Sequence, residues 1–384
     1  MPLVDLIVGA RPNFMKIAPL VAAVRERQRE GSTLAFRLVH TGQHYDTAMS
    51  STFFEQLSIP HPDVNLEVGS GTQSEQAAAI MVRYEALLLN QRSDLCVVVG
   101  DVTSTMACAI AAQKLGVPVA HVEGGIRSGD WAMPEEINRL VTDSITNWFF
   151  TTSEVANTHL RRAGVTDDRI YFVGNTMVDT LLANRQRFRQ PSIWREAGLQ
   201  EREYLVVTLH RPSNVDDQGA LGALVDAICG ARAEMPIIFP VHPRTRRTLA
   251  SLESLPPNLI LLEPQPYLEF NYLVERALAV ITDSGGVTEE TTVMGVPCMT
   301  LRTTTERPET VDLGTNELLG IDPAAIRPAM KRLFAGHWKK GTIPPLWDGK
   351  TGERIVTEIE RLLDPERQLP KHAASISFRM SAPT

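Results

Sequence analysis

A chain of 384 residues exceeds what one hydrophobic core usually serves, so two domains are expected. Apolar residues at 43% and charged residues at 22% exclude a disordered or membrane-embedded chain. A net charge of −7 with no dominant basic face argues against a nucleic-acid partner. Short β-branched runs then alternate with helical periodicity. Leu3–Val8 predicts a strand, Phe14–Gln28 a helix and Leu34–His40 a strand. A helix over Gln73–Gln91 is announced by the capping-box pattern of Thr72 and Glu75. Leu95–Val99 and Val117–Val122 are strands flanking the helix Ser104–Leu115, and Pro134-Glu135-Glu136 opens another helix. A second series runs through Tyr204–Leu209, Pro236–Val241, Leu259–Leu262, Ala279–Thr282 and Cys298–Leu301.

Strands alternating with helices imply parallel sheets covered on both faces. The expected architecture is α/β, with two Rossmann-like doubly wound domains facing a central cleft. They span residues 1–185 and 186–364, and the Arg-rich segment Asn184–Arg202 lies at their junction. The last helix, Thr351–Leu363, is expected to pack back on the first domain, and residues 365–384 to form a loose tail. Cys96, Cys108, Cys229 and Cys298 lack CxxC spacing, so they read as small core residues of a cytoplasmic protein. Leu3–Val8 is too short for a signal peptide and no run spans a bilayer, so no membrane association is expected.

Polar residues cluster at the predicted strand ends, where open α/β sheets bind ligands. Asp283-Ser284-Gly285-Gly286 leads from a strand into a helix whose first N–H groups can cradle a phosphate, or its glycines only shape the turn. Glu290, one turn further on, can then receive sugar hydroxyls. Arg11 and Lys16 follow the first strand and can neutralise a diphosphate, although Lys16 alone reads as a solvated helix residue. Asp101, Glu123 and Glu135 stand near three strand ends and suit acid–base work. His210 and His242 end two strands of the second half. No metal or nicotinamide cofactor is expected: the histidines lack zinc-ligand spacing, and Gly69–Ser74 only echoes GxGxxG.

Together these residues resemble the non-hydrolysing UDP-N-acetylglucosamine 2-epimerases. The resemblance runs through Gly9–Asn13 with Lys16, His40–His44, Gly100-Asp101, His121–Arg127, Pro134–Arg139, Pro264–Phe270, Asp283–Gly286 and Thr305–Glu309. It implies a GT-B-like fold, a homodimer, and reversible conversion of UDP-GlcNAc to UDP-ManNAc by elimination and re-addition of UDP. It assigns Asp101, Glu123, Glu135 and His210 to catalysis. Arg11, Lys16, Gln265, Phe270, Ser284, Gly285, Gly286, Glu290 and Arg307 fall to nucleotide and diphosphate contacts, with Glu290 on the ribose. A second UDP-GlcNAc site, for an activator, would use Gln43, Arg211 and His242. The stretch Gly69–Thr72 lacks the Arg that activated relatives place there, which predicts weak activation. Thr288, where the family often has Gln, and the residues around Ser213 depart from the family pattern and bear on the sugar rather than the nucleotide. The alternatives are a GT-B glycosyltransferase, a 2-epimerase of a related UDP-sugar, and a non-catalytic nucleotide-sugar sensor.

Overall fold

The computed structural model describes residues 1–9, 11–42, 56–57, 59–252 and 254–364, with Arg11 and Pro12 described by backbone alone. Two wholly parallel sheets carry the chain. The first contains β1 (Leu3–Val8), β2 (Ala35–His40), β3 (Val64–Asn65), β4 (Leu95–Val99), β5 (Val119–Val122), β6 (Trp148–Thr151) and β7 (Ile170–Phe172), ordered β3-β2-β1-β4-β5-β6-β7. The second contains β8 (Leu205–Thr208), β9 (Ile237–Pro240), β10 (Leu259–Leu262), β11 (Ala279–Thr282), β12 (Cys298–Thr300) and β13 (Asn316–Leu318), ordered β10-β9-β8-β11-β12-β13. Strand order reverses beside β1 and again beside β8. In doubly wound sheets that reversal opens a crevice at the strand C-termini.

The predicted strands are where their apolar runs placed them, and β4 and β5 are buried at every position because helices cover both faces. β5 begins at Val119 rather than Val117, since the Val117 N–H is already bound to the Ala112 carbonyl at the preceding helix end. The sequence pattern showed none of β3, β6, β7 and β13, and strands of two to four residues are too short to display a period. Thr72 and Glu75 form the expected capping box, Glu75 N donating to Thr72 Oγ1 and Thr72 N to Glu75 Oε2. All four cysteines are free and buried.

The first helix spans Arg11–Arg29, starting before the expected Phe14, and contains Pro19. Proline has no N–H to give the Met15 carbonyl. Thr180 Oγ1 makes that bond instead, at 2.5 Å, tying the helix Thr176–Asn184 to the first. The last helix, Thr351–Leu363, packs on the first helix. Its Ile355, Val356, Ile359 and Leu363 share a core with Ile17, Leu20, Val21 and Val24. Gly352 permits that approach, because a Cβ there would stand 2.6 Å from the Pro19 carbonyl oxygen. The expected loose tail at 365–384 lies outside the described residues.

Candidate active site

The tips of β4 and β5 carry two of the expected carboxylates. Gly100 turns the chain at φ +69°, and a Cβ there would stand 3.0 Å from Lys16 Nζ, so glycine leaves room for the amine. Glu123 also has a left-handed backbone, φ +71°, which is strained for a side chain with a Cβ. Its Oε2 takes Lys16 Nζ at 2.8 Å and Arg307 Nη2 at 2.8 Å, while its buried Oε1 has no hydrogen-bond partner among the described residues. Burial alone would raise the Glu123 pKa, but the two cations outweigh it and hold the group at about 2. Asp101 follows Gly100, and its Oδ2 meets Arg139 Nη2 at 2.5 Å. Glu135, second in the helix Pro134–Ile145, is partly exposed and makes no hydrogen bond or ion pair among the described residues. Its neighbour Glu136 is buried instead, accepting from the N–H groups of Ser128 and Gly129.

In the second half, β8 and β11 end side by side at their switch point. Asp283 is fully buried and accepts from the N–H of His210 and Arg211 and from Asn214 Nδ2. Its Oδ1 lies 2.7 Å from His210 Nδ1, while the His210 side chain is 57% exposed and so remains accessible from the cleft. Burial opposes the Asp283 charge, but His210 and the Arg211 N–H hold its pKa below the ordinary value. Ser284 precedes the helix Gly285–Met294, and Ser284, Gly285 and Gly286 are half-buried at its N-terminus. Glu290 is buried, with Oε1 2.9 Å from the Tyr267 hydroxyl. Burial pushes its pKa up to about 7. Phe270 packs at the edge of the second-half core, and Gln265 donates to the Glu263 carbonyl.

Two polar chains join the halves. One runs Lys16–Glu123–Arg307–Glu289–Asn175: Arg307 Nε binds Glu289 Oε1, and Asn175 Nδ2 donates to the same oxygen at 2.8 Å. The other runs from Asp101 to Arg139, then to Glu306 at 3.7 Å, Arg211 at 3.5 Å, Asp283 and His210. Glu306 sits between the forked nitrogens of Arg302, which overcome its burial and take its pKa down to about 2. Sequence reasoning missed Arg139, Asn175, Asp283, Glu289 and Glu306 as site residues. Arg139, Asp283 and Glu306 lie inside quoted motifs and Glu289 beside Glu290; Asn175, after the unforeseen β7, had no signal.

The remaining expected residues lie as follows. Arg11 opens the first helix, its side chain outside the description, and Gln43 lies outside the described residues. His242 is exposed, and its Nδ1 accepts from Arg244 N at the start of the helix Pro243–Ala250. Arg211 spans the halves, with Nη1 3.4 Å from Met133 Sδ. Arg83, the nearest substitute for the missing Arg, donates to the carbonyls of Leu66 and Glu67.

Two doubly wound sheets whose strand ends meet across a cleft define a GT-B-like class of protein. The model of the UDP-N-acetylglucosamine 2-epimerase family matches residues 26–360. The UDP-N-acetylglucosamine 2-epimerase of Methanocaldococcus jannaschii is 38% identical over 364 residues, 92% of this chain and 97% of that protein. The UDP-2,3-diacetamido-2,3-dideoxy-D-glucuronate 2-epimerase of Pseudomonas aeruginosa is 39% identical over 318 residues, 82% of this chain and 87% of that one. The crystal structure of the M. jannaschii enzyme in complex with UDP-GlcNAc and UDP is similar at a TM-score of 0.83, covering 94% of this chain and 100% of that one at 38% identity. A calicheamicin glycosyltransferase, at a TM-score of 0.52 and 15% identity over 96% of this chain and 99% of its own, shares the fold alone. The chain belongs to the UDP-N-acetylglucosamine 2-epimerase family.

Proposed function

We infer that this chain is an isomerase that interconverts UDP-N-acetylglucosamine and UDP-N-acetylmannosamine. The C2 hydrogen is not adjacent to a carbonyl, so direct abstraction to a free carbanion is very hard. In the elimination, a carboxylate takes the C2 proton, the C2–H electrons form the C1=C2 bond, and the C1–O pair leaves with UDP. Re-addition of UDP returns a proton to C2 from the opposite face. Glu123, Asp101 and Glu135 are the candidates for moving the proton. Lys16, Arg11, Arg307, His210 and the helix start at Ser284–Gly286 stabilise the departing diphosphate, Glu290 takes the ribose, and Gln265 and Phe270 flank the base. The observation that carries this reading is the meeting of Lys16, Glu123 and Arg307 at one point, with residues of both halves on a single carboxylate oxygen.

Incubation with UDP-GlcNAc alone in deuterated water tests it. The expected product is a mixture of both epimers with deuterium at C2. No exchange would overturn the reading, and UDP release only on adding an acceptor sugar would select a glycosyltransferase. A second reading, epimerisation of the diacetamido uronate, is favoured by the 39% identity to the P. aeruginosa protein. Faster turnover of that substrate than of UDP-GlcNAc would select it. The domain division falls at about residue 185. A homodimer is supported by exposed Val82 and Leu89 on the helix Gln73–Asn90 and exposed Ile137 on the helix Pro134–Ile145, which flank the helix Thr103–Lys114 on one outer face. Four free cysteines support a reducing, cytoplasmic setting and a role in polysaccharide precursor synthesis fits the product, while no helix of the described residues is long and apolar enough to cross a membrane. Gln43, Arg211 and His242 are the candidates for a second UDP-GlcNAc site, with weak activation expected.

A further inference from the structure

The backbone turns left-handed at three positions within a few residues of each other in space, Gly100 (φ +69°), Glu123 (φ +71°) and Gly125 (φ +80°). Such conformations at a residue with a Cβ persist only where the surroundings over-determine them. His121, on β5 and wholly buried, stands between these turns. Its Nε2 is 2.7 Å from the Gly100 carbonyl oxygen and its Nδ1 is 2.7 Å from Asp143 Oδ1. The other Asp143 oxygen accepts Gly125 N at 3.0 Å and meets Arg127 Nη1 at 2.6 Å. A carbonyl and an ionised carboxylate both only accept, so both ring nitrogens donate, Nε2 to the Gly100 carbonyl and Nδ1 to Asp143. Gly125 itself has no room to shift, since a Cβ there would lie 2.5 Å from the Ala156 carbonyl oxygen. The helix that supplies Asp143 also supplies Asn138 to the Asp101 carbonyl and Arg139 to its carboxylate.

We propose that His121 is a positioning residue: braced on Asp143 and donating to Gly100, it sets the spacing between the Asp101 and Glu123 carboxylates. This rests on the epimerase reading, in which a proton leaves one face of C2 and returns to the other. If the spacing drifts, elimination outruns correct return, and the unsaturated sugar dissociates with UDP instead of being re-protonated.

The test compares the released glycal and UDP with the epimer formed, for the full chain and for His121→Gln. A misplacement near 1 Å costs on the order of 10²-fold in rate, so kcat is expected to fall by about that much. The glycal-to-epimer ratio is expected to rise about tenfold or more, while UDP affinity stays within about threefold because neither His121 nor Asp143 touches a group assigned to UDP. Asp143→Asn should move the ratio the same way. Tyr84→Phe removes a buried hydrogen bond to Asp5 in the same half without touching the brace, and should lower the melting temperature with the ratio unchanged. A purely structural role would scale both products together, so an unchanged ratio in both brace variants overturns the proposal. Should the variants fail to fold, nitrogen NMR of the histidine-labelled wild-type chain decides: hydrogen on the buried Nε2 supports the brace, and a bare Nε2 overturns it. A wild-type chain that produces no epimer brings down the epimerase reading itself, a separate result.

Discussion

Glu123 on one side of the cleft and Glu290 and Glu309 on the other carry the same side chain at nearly the same exposure, 4%, 4% and 6%, yet differ in charge. Glu123 is driven down to about 2 although burial opposes it, because Lys16 and Arg307 share one of its oxygens. Burial pushes Glu290 up to about 7, with a tyrosine hydroxyl and an amide as its partners. Burial likewise pushes Glu309 to about 7, and both its oxygens lack hydrogen-bond partners among the described residues. Desolvation is common to all three, so the neighbours decide which acid is ionised. Glu123 is a permanent anion beside the proposed reaction centre, while Glu290 and Glu309 change charge near neutrality.

The largest expected effect breaks the charged side of this contrast. Glu123→Gln and Asp101→Asn should each lower kcat by roughly 10²–10⁴ with the fold intact, the usual loss for a positioned acid or base. Normal turnover in both, measured with circular dichroism as the folding control, would remove them from catalysis. Arg307→Met strips a cation from Glu123 and Glu289 together and should destabilise by roughly 3–5 kcal/mol, as when one partner of a buried ion pair is deleted. The pH profile of denaturation sharpens this prediction. Glu123 contributes stability that is present above its unfolded value of 4.5 and lost as pH falls through about 2. In Arg307→Met the folded-state value rises towards 4.5, so the window should narrow from its low-pH end and the pH-dependent contribution should shrink.

Glu309→Gln probes the opposite case. A carboxyl raised from 4.5 to about 7 contributes stability below 4.5 that is lost as pH rises through 7. Replacing it with an amide should therefore stabilise the chain by at most about 3 kcal/mol at pH 8.5 and little at pH 5, taking 1.36 kcal/mol per pH unit. Equal shifts of melting temperature at both pH values would contradict a buried, uncompensated charge. The smallest expected effect concerns a phosphate lacking its cation. Gly69–Thr72 has no basic residue, and Arg83 is engaged with the Leu66 and Glu67 carbonyls. One charge-assisted contact contributes about 1.5–3 kcal/mol, so activation by UDP-GlcNAc should be weakened roughly tenfold to a hundredfold in affinity. Purified UDP-ManNAc should then be consumed without a lag; a lag abolished by trace UDP-GlcNAc would show a working activator site.

Much of the scaffold was legible in the chain because its signals are local. Apolar runs such as Val97–Val99 and Val280–Ile281, Pro-led helix starts and the Thr72 capping box act within a few residues, so they place strands and helices without knowledge of the whole. The strand-end position of Asp101, Glu123, His210 and Ser284 follows from that alternation, since the carboxyl ends of parallel strands share one edge. β6 and β7 escaped because strands so short carry no period of their own and exist only as additions to the sheet, β6 on β5 and β7 on β6. Charge states and pairings depend on contacts across long sequence separations, and only the tertiary structure decided them. Arg307 meets Glu123 from 184 residues away, and Asn175 reaches Glu289 across 114. Which of two adjacent glutamates is buried was equally beyond sequence pattern: Glu136 and not Glu135, because the loop Ser128–Gly129 folds back to give it N–H donors. Local chemistry determines which groups reach the cleft edge; the packing of one half on the other determines which of them is charged, paired or free to act.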